Sequence, residues 1–93
     1  MNIRFTAFAL SEYDAILDYI STRSPAGAKS VQRRLDKVIS DLERFPYIGT
    51  VIEQHPANVR MLVATPYPFL VYYKVNEADG EVVILDVRHG ARA

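Results

Sequence analysis

The spacing of apolar positions changes several times along the chain, and each change marks the border of an element. Asn2 to Phe8 alternates, with Ile3, Phe5 and Ala7 on one side and Arg4 and Thr6 on the other, which predicts a short half-buried strand. Leu10 leads into Ser11, with Asp14 three residues on, a near capping box in which the shorter acid replaces Glu. Tyr13, Ile16, Leu17 and Ile20 then recur at helical spacing, so a helix with one apolar stripe is expected from Ser11 to about Thr22. Ser24-Pro25 is the next start signal, because proline at the first helical position gives up an N–H that would have no partner anyway. Behind it Ala28, Val31, Leu35, Val38, Leu42 and Phe45 follow every three or four residues, with Ile39 widening the stripe, as far as Phe45-Pro46. Only Arg23 to Pro25 separate the two helices, which predicts an antiparallel hairpin covering a sheet.

Phe45 to Ala57 holds Pro46, Gly49 and Pro56 and little periodicity, and reads as a long surface loop. Asn58 to Ala64 alternates again, and after the Thr65-Pro66-Tyr67-Pro68 turn a strand runs from Phe69 to Val75. Asn76 to Gly80 forms the next turn. The run Val82, Val83, Ile84, Leu85 and Val87 is a buried strand, and it opens into a cationic end, Arg88-His89-Gly90-Ala91-Arg92. The expected fold is α+β, of order β-α-α-β-β-β: an antiparallel helix hairpin packed on one face of a mainly antiparallel four-stranded sheet. Residues 1–93 make a single domain, since the chain is too short for a second core.

Composition narrows what such a domain does. An apolar fraction of 49% with 24% charged residues belongs to an ordinary globular protein. Eleven Lys and Arg balance eleven Asp and Glu, so any attraction to nucleic acid or anionic lipid must come from a local patch. Without cysteine there is no disulfide, thiolate nucleophile or Cys-based zinc site, and a reducing cytoplasm suits the chain. No apolar run approaches the ~20 residues of a membrane helix, and the start lacks the basic and apolar regions of a secretory signal. No membrane association is expected. His55 and His89 stand far apart without a spaced carboxylate, and no Gly-rich phosphate loop occurs, so neither metal nor cofactor is expected.

Suppose the helices cover Val59, Met61 and Val63, then Val71, Tyr73 and Val75, then Val83, Leu85 and Val87. The other face then carries Arg60 and Leu62, then Leu70, Tyr72 and Lys74, then Ile84, Asp86 and Arg88, with Arg4 on the first strand. Such a cationic, aromatic face suits contact with phosphates and bases. It is equally the pattern of a solvated sheet face on which Asp86 pairs with an arginine. His89 is a candidate general base, and Arg60, Arg88 and Arg92 would supply cations for a charged phosphorane if RNA were cleaved.

Several stretches together resemble the RelE/ParE superfamily of bacterial type II toxins, and its ParE branch most. They are the first strand with YDAILDYI, the long helix running into Phe45-Pro46 and Gly49, Arg60 in VRMLV, YPFLVYYKV from Tyr67 to Val75, and VILDVRHGAR from Val83 to Arg92. The resemblance implies a toxin neutralised by a co-encoded ParD-like antitoxin, in a hetero-oligomer with it. RelE-like members are ribosome-dependent mRNA endoribonucleases; ParE-like members poison DNA gyrase. RelE-like enzymes carry an arginine before the Val-Tyr of the central strand, where this chain has Leu70. Gly90 stands near another of their arginines, and no tyrosine follows the last strand. His89-Gly90-Ala91-Arg92 resembles the closing motif of ParE-like toxins, while Asp86 is an acid where related chains often carry a base. A gyrase-poisoning toxin without catalytic machinery is therefore expected, with Arg60, Tyr72, Lys74, Arg88, His89 and Arg92 as target contacts. The alternative is a ribonuclease using Arg60, Lys74, Arg88, His89 and Arg92.

Overall fold

Thr6, not Ser11, opens the first helix. A computed structural model describes residues 1–52 and 58–92. In it the first strand, β1, stops at Phe5 (Asn2–Phe5), and α1 spans Ala7–Ser21. Thr6 has extended backbone, and its Oγ1 accepts the Ala9 N–H at 3.0 Å, satisfying one of the donors that a helix start leaves unpaired. Ser11 lies inside the helix and its hydroxyl donates to the Phe8 carbonyl at 2.8 Å. The near capping box is thus a helix-interior Ser and Asp. Replacing Thr6→Ala should cost ~1 kcal/mol in urea denaturation and Ser11→Ala only a few tenths; equal effects would contradict this assignment.

Ser24 caps the second helix, α2 (Pro25–Asp41), as its sequence predicts, with Oγ accepting from Gly27 N–H at 3.0 Å and Pro25 at the first position. Ala28, Val31, Leu35, Val38 and Ile39 are buried, and Leu42 caps the C-terminus fully buried. The helix does not reach Phe45, which is 52% exposed, so the stripe ends one turn earlier than its spacing predicts. The hairpin is clasped by the Tyr13 hydroxyl, which donates to Asp36 Oδ1. Burial, then the bond to Asp36, pushes the Tyr13 pKa well above the ordinary tyrosine range.

Five strands, not four, form one mixed sheet in the order β1-β5-β4-β3-β2. The additional strand, β2 (Thr50–Val51), lies in the stretch that reads as a loop and pairs antiparallel with β3 (Arg60–Val63). It is too short for alternation to reveal. β3, β4 (Phe69–Asn76) and β5 (Glu81–His89) form the expected meander, and β1 joins β5 in parallel. A one-turn 3₁₀ segment, Gly90–Arg92, follows.

The register corrects the expected faces. Tyr73 pairs with Ile84 but Tyr72 pairs with Asp86, so Leu85 is an extra residue at a bulge. Val82, Ile84 and Val87 consequently join the core under the helices with Phe69, Val71 and Tyr73, in place of Val83 and Leu85. On β3 the expected order is reversed: Arg60 pairs with Tyr73 and Leu62 with Val71, which puts both on the helix side, while Met61 and Val63 turn to the open face. The physical reason is period two. Any one-residue offset at a turn exchanges all the side chains of a strand.

Candidate functional site

The register writes the open face as rows running across the sheet. One is Thr50, Met61, Tyr72, Asp86; the next is Val63, Leu70, Arg88; a third is Lys74, Val83, Arg4. Arg88 donates through Nε to Asp86 Oδ2 at 2.7 Å and again through Nη2 to the same oxygen, and its guanidinium carbon stands 5.0 Å from the Tyr72 ring centroid. The hydrogen bond to Asp86 raises the Arg88 pKa further above its ordinary value. Arg4 pairs with Glu81 at 3.1 Å. Of the four cations expected here, Arg4 and Arg88 are thus matched by acids and Arg60 is on the other side. Lys74 stays on this face without an ion-pair partner among the described residues.

Arg60 braces the chain instead. Its Nη1 donates to the Tyr47 carbonyl at 3.0 Å and the Gly49 carbonyl at 2.8 Å, with the guanidinium carbon 5.1 Å from the Tyr47 ring centroid. Beside it the Gly49 N–H donates to the buried Tyr73 hydroxyl at 2.8 Å, and the Tyr47 hydroxyl donates to Glu77. Three backbone groups of the segment before β2 are held this way. No local pattern in the sequence announces it.

His89 pairs with Phe69 on the helix side of the sheet and meets that ring edge-on, with centroids 5.5 Å apart. Its Nδ1 accepts the Ala91 N–H at 3.1 Å, and Gly90 N–H donates to the Pro68 carbonyl at 2.6 Å, so the end of β5 is anchored rather than loose. Tyr72, Lys74 and Arg88 therefore leave the backbone on one face and Arg60 and His89 on the other, yet Arg88 and His89 meet along a groove at the sheet edge, and Arg60 and Lys74 line a second cavity with Tyr47. His55 and the Arg92 side chain lie outside the described residues.

A second surface lies where the helix hairpin meets the sheet edge, the kind of place that a fold of this class offers for strand addition and helix docking. β1 pairs with β5 only from Glu81 to Ile84, and beyond that point α1 flanks β5. Between them runs a groove of about 690 Å³, lined by Phe8, Glu12, Ile16 and Tyr19 of α1 and by Asp86 and His89 of β5. Phe8 and Tyr19 are 58% and 57% exposed. The signal was present: Phe8, Glu12, Ala15 and Tyr19 form a second line at helical spacing beside the core stripe.

A family model for the ParE toxin of the type II toxin-antitoxin system, parDE, matches residues 3–93. The chain is 38% identical over 84 residues to Toxin RelE2 of Caulobacter vibrioides, covering 90% of this chain and 89% of that protein. Its fold is similar to a chain of the chromosomal ParDE TA system from P. aeruginosa, with a TM-score of 0.79 and 23% identity over 96% of this chain and 95% of that one. The chain belongs to the ParE toxin family of type II toxin-antitoxin systems.

Proposed function

We propose that this toxin arrests growth in the cytoplasm by binding DNA gyrase through the open face of its sheet, and that a ParD-like antitoxin neutralises it at the groove between α1 and β5. The observation that carries the first half is the division of the ribonuclease set. RNA cleavage needs a base within hydrogen-bond reach of the 2′-hydroxyl and cations around the same phosphate. No one place gathers the set: Arg88 and His89 line the groove beside α1, Arg60 and Lys74 line a separate cavity near Tyr47, and Arg88 is already committed to Asp86. What the open face offers is an aromatic and aliphatic centre (Tyr72, Leu70, Met61, Val63) with Lys74 and Arg88 at its rim, a composition suited to a protein partner.

Support for the second half is the edge of β5, which past Ile84 has no strand partner on that side among the described residues, beside exposed apolar side chains, which fits an added strand or a docked helix. The alternative, a ribosome-dependent mRNA endoribonuclease, is favoured by the name of the Caulobacter relative.

Supercoiling and DNA-cleavage reactions with purified gyrase, run beside a translation reaction probed for cut mRNA, separate the two. The expected result is gyrase inhibition without mRNA cuts, weakened more than tenfold by combining Tyr72→Ala with Lys74→Ala and unchanged by His89→Ala. Cuts that disappear in His89→Ala would establish the ribonuclease instead.

A further inference from the structure

We infer that Asp86 and Glu12 form an acceptor socket for one arginine or lysine side chain, carried between apolar residues on an extended segment of the antitoxin. This rests on the antitoxin reading above and adds the chemistry by which the groove selects its occupant.

Asp86 is 7% exposed, yet its Oδ1 is buried without a hydrogen-bond partner among the described residues. Arg88 does not relieve this, because its Nε and Nη2 both go to Oδ2 instead of straddling the carboxylate. A buried carboxylate oxygen left unpaired is unfavourable, and a donor that reaches it gains a charge-assisted hydrogen bond. Opposite, on α1, stands Glu12, near enough to Arg88 to act on its charge and without an ion-pair partner among the described residues. Among the described residues two carboxylates therefore face one guanidinium, which leaves room for a second cation in the groove.

The walls describe the rest of the occupant. Phe8, Ile16, Tyr19 and Ile20 give apolar surface on the helix side, and β5 from Leu85 to His89 has no strand on its outer edge among the described residues. An extended segment pairing with that edge points successive side chains to opposite faces. Because Asp86 turns to the open face while Phe8 and Tyr19 lie on the helix side, a cation reaches Asp86 from one side of the segment, and its immediate neighbours in sequence, turned the other way, cover Phe8 and Tyr19.

The test is a double-mutant cycle on the full-length toxin and the antitoxin encoded beside it, with affinities from calorimetry. Asp86→Asn is expected to weaken binding about 30-fold, or ~2 kcal/mol at 1.4 kcal/mol per tenfold. One antitoxin Arg or Lys changed to Gln should weaken binding to the same degree, and the two together little further. Thermal melts of Asp86→Asn alone report its effect on folding, and the coupling is the readout that a merely structural Asp86 would not move. Full affinity in Asp86→Asn, or additive losses for every antitoxin cation, overturns the socket while leaving the pairing intact. No binding of the wild-type toxin overturns both. A self-association of the toxin that Asp86→Asn abolishes assigns the groove to a second copy of this chain and overturns the proposal.

Discussion

Leu35→Ala should destabilise the fold by ~3–4 kcal/mol and lower the thermal midpoint by more than about 12 °C. Leu35 is fully buried in the cluster where α2 meets Val71, Tyr73 and Ile84. Removing its isobutyl group loses transfer energy and leaves a cavity that the stiff sheet beneath cannot close. Set against a total stability of ~5–15 kcal/mol for a domain of this size, that is a large share. Phe45→Ala is the matched control. Phe45 follows the same sequence spacing but lies more than half exposed past the helix end, so its loss should move the midpoint little. If the two variants melt together, the boundary of the α2 stripe is wrong.

Gly49→Val should cost ~2–3 kcal/mol, through crowding rather than a cavity. A Cβ at Gly49 would stand 2.6 Å from the Tyr73 hydroxyl, 2.8 Å from its ring and 3.0 Å from the Met61 carbonyl. Tyr73 is fully buried and cannot step aside, so the segment must lift, losing the Gly49 bond to Tyr73 and both carbonyl bonds to Arg60. Hydrogen exchange would show it directly: the Gly49 amide, protected in the parent, should exchange quickly in the variant while amides of α2 stay slow. Tyr73→Phe provides the milder comparison, at ~1 kcal/mol, because it leaves the segment seated and orphans one N–H. A Gly49→Val protein with parental stability would show that the latch does not hold.

Much of this architecture was legible because local chemistry and global packing agree. Ser24-Pro25 caps and starts a helix whatever surrounds it, and the alternation of Phe69, Val71 and Tyr73 matches their burial. The failures have separate causes. Ser11 and Thr6 are both competent caps, and the choice between them depends on where β1 leaves the sheet, a tertiary matter. The bulge at Leu85 is invisible within an unbroken aliphatic run, so the faces of β5 on either side of it went out of phase. Arg60 looked like a surface cation because its partners are backbone carbonyls at residues 47 and 49, which no side-chain pattern encodes. For the site, the cationic residues were visible one by one, but their division between faces was not, since it follows from register.

Register also bears on the end of β5. Arg88 and His89 are paired strand residues, and Gly90 ties the chain to Pro68, so a cut after Val87 removes two sheet pairs along with the cationic end. Loss of toxicity in such a truncation would mix a missing surface with a weakened sheet. Substitution at Arg88 or His89 separates the two.

The place of β5 in the sheet has a consequence in time. β1 is synthesised first, yet its neighbour is β5, so Asn2 waits for Glu81 before it has a strand to pair with. The helices can form earlier from contacts near in sequence, but their apolar stripes then have only each other to cover. Closing so long a loop is the slow part of folding for a chain this size. A ribosome therefore carries a hairpin of helices with an unfinished floor until the last strand emerges, and the surface that would engage a target is assembled at nearly the last moment.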